Sequence, residues 1–210
     1  MVCGATAAQS AVNRWVVGSN PTRPAKSSRE EEEVSTKVQE INIFAITSPY
    51  TTSYLINHNE VKEDVLGIIN DMTSDKDSYN FNTDWTLDRS INRDYWKFIE
   101  RPIMDYTNAA ANALGYNGSK IKNYWFQQYT RGSDHPWHIH LDCQWTNVYY
   151  LEFPEGSPPT ELVEPLTGRS ISVEVKEGSL LTFPSYVWHR APVVESDVRK
   201  TIISFNSDFC

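Results

Sequence analysis

Hydrophobic positions switch period along the chain. Over 61–72, Val61, Val65, Ile68, Ile69 and Met72 recur at three- and four-residue intervals, which predicts an amphipathic helix. Over 95–114, Trp96, Ile99, Ile103, Tyr106 and Ala110 form a second helical stripe. Pro102 is expected to bend or restart it, because proline lacks an amide hydrogen and clashes with the preceding turn. Ahead of both, 41–46 reads as a first strand. Beyond residue 121 the helical period disappears. Segments 125–129, 145–153, 179–190 and 199–205 are aromatic or β-branched and bounded by turn residues, as strands are. Segment 73–91 is polar and predicts a long mobile loop, and 154–165 a turn-rich connection; both are candidate substrate loops, 73–91 as a lid. Pattern alone predicts helices followed by a β-rich half.

Composition narrows this modestly. The 210 residues suit one domain, expected over 38–210, preceded by a disordered tail over 1–37. Residues 1–28 hold no acid and three cations, Arg14, Arg23 and Lys26. The string from Val16 to Pro24 resembles translated transfer-RNA gene sequence, so the assigned start is expected to lie too far upstream. Cysteines at 3, 143 and 210 show no paired spacing, which points to a reducing, cytoplasmic setting (a host's, if the source is viral). No stretch approaches the ~18 apolar residues of a membrane span. A formal charge of −8 argues against non-specific nucleic-acid binding, which needs a basic surface. Oligomeric state is not legible.

The candidate chemistry lies in His140-Leu141-Asp142 and in His189, which follows 49 residues after His140. In an extended strand, side chains at i and i+2 share a face, so His140 and Asp142 can reach one ion. His189, from a crossing strand, completes a 2-His-1-carboxylate set, which on Fe(II) leaves an open face for O2 and a co-substrate. His138 has the same two-residue spacing and is the alternative ligand. Cys143 is expected to face away. His135 reads as a loop histidine, His58 as an exposed bystander, and Tyr149, Trp125, Trp145 and Trp188 as packing residues. Trp137 divides between packing and substrate stacking.

Several linked motifs over 121–208 resemble the 2-oxoglutarate/Fe(II)-dependent dioxygenases, in their prolyl 4-hydroxylase-like branch. These are His140-x-Asp142, the strand Thr146-x-x-Tyr149-Tyr150-Leu151, the Phe183-Pro184 to His189 segment, and the arginine ahead of the strand ending at Asn206. The resemblance implies an α+β fold: a double-stranded β-helix (jelly roll) core with N-terminal bracing helices. It implies Fe(II) held by His140, Asp142 and His189, and 2-oxoglutarate as co-substrate, with ascorbate a candidate reductant. Arg199 is expected to pair with the distal carboxylate, helped by Tyr150, Tyr129 and Thr201, while Lys200 competes for that role from the opposite strand face. The implied activity is hydroxylation of a peptidyl (for example prolyl) or small-molecule C–H bond, yielding succinate and CO2. The rival from another class is a jelly-roll binding module with a structural metal or none.

Overall fold

The computed structural model describes residues 48–210 apart from 73, 76 and 77. The expected tail and the strand over 41–46 lie outside the described residues. Two antiparallel sheets dominate. The larger contains β1 (Thr51–Tyr54), β2 (Asn82–Thr83), β3 (Ser119–Tyr129), β5 (Trp145–Glu152), β8 (Ser179–Pro184) and β10 (Lys200–Phe209), in the spatial order β1-β8-β5-β10-β3-β2. The smaller runs β4-β9-β6-β7, from β4 (His135–His138), β6 (Glu161–Val163), β7 (Ser170–Ser172) and β9 (His189–Ala191).

Helices α1 (His58–Asp71) and α2 (Glu100–Ala113) follow the two predicted stripes. The second stripe is divided as Pro102 suggested. A 3-10 turn over Asp94–Phe98 precedes α2, and Pro102 sits in the first helical turn, where its missing N–H costs nothing. Among the described residues no helix is long and apolar enough to cross a membrane.

Side-chain alternation along the large sheet builds two cores. Phe126, Tyr149, Leu151, Leu180, Ile203 and Phe205 face the helices, packing with Val65, Ile69, Trp96 and Ile103. Tyr129, Val148, Tyr150, Leu181, Phe183 and Ile202 face the other way, toward Leu162 and Ala191 of the small sheet. Strands buried on both faces explain why 145–153 and 179–184 read as nearly continuous apolar runs: each residue has a core to enter.

The 73–91 segment is anchored rather than loose over its described residues. Asp84, fully buried, accepts from the Phe126 amide (2.8 Å), the Tyr95 hydroxyl (2.9 Å) and Arg93 Nε (2.7 Å). Burial raises its carboxyl pKa despite these partners. Arg93 also donates to the Asp84 carbonyl, and Thr83 to the carbonyl of Phe126. Removing one partner of a buried ion pair strands the other, so Asp84→Ala is expected to cost about 3–5 kcal/mol in urea unfolding. A loss below about 1 kcal/mol would make this pair worth no more than a surface one.

Candidate active site

Three imidazoles converge where the small sheet meets the large one. One ring nitrogen each of His138, His140 and His189 lie within 4.8 Å of one another. Local sequence explains the convergence. β4 and β9 pair His138 with His189 and His135 with Ala191, so three residues of β4 span two of β9. The extra residue is a β-bulge, which turns His135 and His138 to the same side. The chain then leaves the strand, and the His140 amide donates to the Ser185 carbonyl (3.0 Å), bringing the second imidazole alongside.

Each of the three rings has its other nitrogen fixed. His138 Nδ1 donates to the Pro136 carbonyl (2.8 Å) and His189 Nδ1 to the Val187 carbonyl (2.9 Å). His140 Nδ1 donates to Asn206 Oδ1 (2.7 Å), with Thr146 Oγ1 3.1 Å from the same nitrogen. A carbonyl oxygen only accepts, so the proton is on Nδ1 and the lone pair on Nε2 in every case. This is how outer partners orient metal-ligating histidines. Burial, with neighbouring imidazoles, keeps the rings neutral: it lowers His138 and His140 and takes His189 to about 2. Three neutral nitrogen donors suit iron, zinc, copper or nickel.

A buried cation lies on the same inner face. Lys200 is fully buried and pairs in register with Tyr129; its ammonium is 5.0 Å from the Tyr129 ring and 6.0 Å from that of Phe153. It donates to the Pro158 carbonyl (2.8 Å), and no carboxylate pairs with it among the described residues. Burial alone pulls its pKa down to about 7. The Tyr129 hydroxyl, also buried, has no hydrogen-bond partner among the described residues. Tyr150 donates to Thr160 Oγ1 (2.7 Å). Phe81 packs on Tyr129 (4.7 Å) and on His135 (5.3 Å), and Phe183 on His189 (4.8 Å), linking the lysine to the histidines through one apolar cluster.

Beside the histidines opens a cavity of about 360 Å³. Tyr79, Phe81, Trp85 and Trp125 supply aromatic walls, and Asn123, Gln127, His135 and Asp142 supply polar atoms. Thr83 and Trp85, which flank the buried Asp84, are part of the lining, so the Asp84 cluster sets the wall of this cavity.

No protein-family model matches the chain, and no curated protein matches its sequence. Solved structures do match. A 2OG-Fe(II) oxygenase family oxidoreductase from Burkholderia pseudomallei superposes with a TM-score of 0.61 at 11% identity, over 75% of this chain and 83% of that one. The α-ketoglutarate-dependent epimerase SnoN of nogalamycin biosynthesis gives 0.58 at 11%, over 76% and 77%. A Trichoplax adhaerens prolyl hydroxylase, solved with a hypoxia-inducible-factor peptide, gives 0.54 at 16%, over 75% and 82%. The fold is that of the 2OG-Fe(II) oxygenases. Within it, several expectations change place. His140 and His189 come together as expected, but with His138 instead of Asp142. The i, i+2 argument required a continuing strand, whereas β4 ends at His138 and the chain bends at 141–142, leaving Asp142 exposed at the cavity rim.

Arg199 and Thr201 are corrected in the same way. Both lie on the helix side of the oxygenase fold's large sheet. Arg199 donates to Glu152 (2.7 and 3.1 Å) and to Asn70 of α1 (3.0 Å). Thr201 donates to Glu152 (2.8 Å) and accepts from Gln128 (3.3 Å). The inner face belongs to Lys200, Ile202, Ser204 and Asn206, which strand alternation groups together. Tyr129 and Tyr150 are both inward.

Three residues were misjudged from sequence. His58 is buried, its Nδ1 2.7 Å from the Tyr149 hydroxyl. Trp188, read as a packing residue, is 50% exposed, whereas Trp125 is buried and also lines the cavity. His135 is no loop residue but opens β4 and stacks on His138 at 4.0 Å. Only the bulge puts it there, and no sequence signal announces a bulge.

Proposed function

We propose that this protein is a non-haem Fe(II)- and 2-oxoglutarate-dependent oxygenase acting on a C–H bond of a peptidyl or small-molecule substrate, with a double-stranded β-helix as its core. One observation carries the reading: three imidazoles present unspent Nε2 lone pairs, while the same inner face holds a buried ammonium and a buried phenol that find no counter-ion and no partner among the described residues. Burying an unpaired charge is costly, so the lysine and Tyr129 fit a ligand carboxylate that enters with its own charge.

His138, His140 and His189 would hold the metal, and Lys200 with Tyr129 the distal carboxylate of 2-oxoglutarate. Bound together, Fe(II) and 2-oxoglutarate supply O2-driven C–H oxidation, with the co-substrate leaving as succinate and CO2. The protein's own contribution is orientation. Nδ1 hydrogen bonds to Pro136, Val187 and Asn206 fix the three rings, and the aromatic walls exclude water beside them. A structural zinc site closes with four protein ligands, whereas three gather here among the described residues, which favours an open, reactive site over the binding-module reading.

The test is anaerobic addition of Fe(II), then 2-oxoglutarate, to metal-free protein. A weak visible absorption that needs both additions is expected, followed by succinate release once O2 and ascorbate are admitted. Absence of that absorption at saturating concentrations of both would return the protein to the binding-module class.

A further inference from the structure

The fourth histidine of the cluster carries its proton on the opposite nitrogen from the other three. Ser204 Oγ donates to Gln127 Oε1 (3.0 Å), and the Gln127 amide nitrogen lies 3.2 Å from His135 Nδ1. An amide nitrogen donates and has no lone pair to offer, so His135 Nδ1 is the acceptor and its proton is on Nε2. The ring is clamped in this orientation. It stacks on His138 (4.0 Å, 24°) and is flanked by Phe81 (5.3 Å) and Tyr79 (6.1 Å).

His135 is part of the cavity lining, and among the described residues its only ring hydrogen bond is the one at Nδ1. A donor without an acceptor beside a substrate-sized space needs one from the ligand. The remaining walls select its company: Trp85 and Trp125 meet at 4.5 Å, and Trp125 lies 5.8 Å from His140. Asp142 at the rim repels anions. We infer that His135 is a substrate-binding residue whose Nε2–H donates to a carbonyl or hydroxyl oxygen on an uncharged, flat group seated against the tryptophans. This assignment rests on the cavity being the substrate site of the proposed oxygenase.

Nitrogen-15 labelling of the histidines in the full chain tests it directly, because long-range proton–nitrogen correlations distinguish the two neutral tautomers. His138, His140 and His189 are expected as Nδ1–H forms and His135 as the Nε2–H form. Zn(II), a diamagnetic probe, should shift Nε2 of the first three and leave His135 unmetallated. Benzamide, a flat neutral carbonyl compound, should then move the His135 Nε2–H resonance. His135→Phe, which keeps the ring packing, should weaken benzamide about five- to tenfold, the loss of one hydrogen bond. Benzylamine, a cation without an acceptor, should be unaffected by the substitution. An Nδ1–H form at His135, zinc on its Nε2, no benzamide binding, or equal benzamide affinity in His135→Phe would each overturn the proposal. Zinc that leaves all four rings unshifted, with the His135 tautomer and benzamide results intact, would count against the oxygenase reading and leave the donor assignment standing.

Discussion

His138→Ala is expected to abolish tight metal binding, while Asp142→Ala leaves it unchanged. Each of the three imidazoles would supply a third of the protein's donors to the metal. Loss of even an outer hydrogen-bonding partner costs 10–100-fold in affinity, so loss of a ligand should cost at least about 100-fold. Asp142 is exposed, and its backbone carbonyl is engaged by Lys122, which holds the 139–144 bend in place. Competition between each variant and a chromophoric chelator for Fe(II) or Zn(II) measures the difference. The reverse ranking, with Asp142→Ala losing the metal, would mean that the bend refolds on binding and restores a carboxylate to the set.

Lys200→Met should weaken 2-oxoglutarate binding by roughly 30- to 3000-fold, the range for removing one partner of a buried charge pair. Arg199→Ala should change it little, since Arg199 is already paired with Glu152 on the other sheet face. The lysine also makes binding pH-dependent with a definite sign. In the ligand-free protein its pKa is near 7 because of burial, and the carboxylate takes only the protonated amine. Affinity should therefore be flat below about pH 7 and fall by about tenfold per unit above it, until the raised pKa of the complex is reached. Lys200→Arg, always charged, should lose that slope.

Stability of the ligand-free protein should move the opposite way. Between about 7 and the ordinary lysine value of 10.5 the unfolded chain binds more protons than the folded one, so this group makes stability rise with pH across that window. Calorimetric titrations from pH 6 to 9, with thermal unfolding over the same range, would check both signs. A pH-independent affinity would remove Lys200 from the co-substrate site.

The comparison of sequence with structure is sharpest along β10. Its apolar content marked it as a strand, and its two cations marked it as relevant to a carboxylate. Adjacent residues of a strand face opposite sides, so one of Arg199 and Lys200 had to be inside. Which one depends on register against β3, where Lys200 lies opposite Tyr129 and Asn206 shares its face beneath His140. Glu152, on the neighbouring strand, gives the arginine its partner outside. That pairing is 47 residues distant in sequence and left no local trace.

Helix periodicity, the strand segments beyond residue 121, the Pro102 restart and the candidacy of His140 and His189 were determined by the sequence itself. These depend on local propensity and on residue types whose chemistry has few other uses. The third imidazole of the cluster, the inward cation, the place of His135 and the anchoring of Asp84 were decided only by tertiary structure. Each depends on a bulge, a strand end or a cross-strand register, and a shift of one residue in any of them exchanges the two faces of a strand.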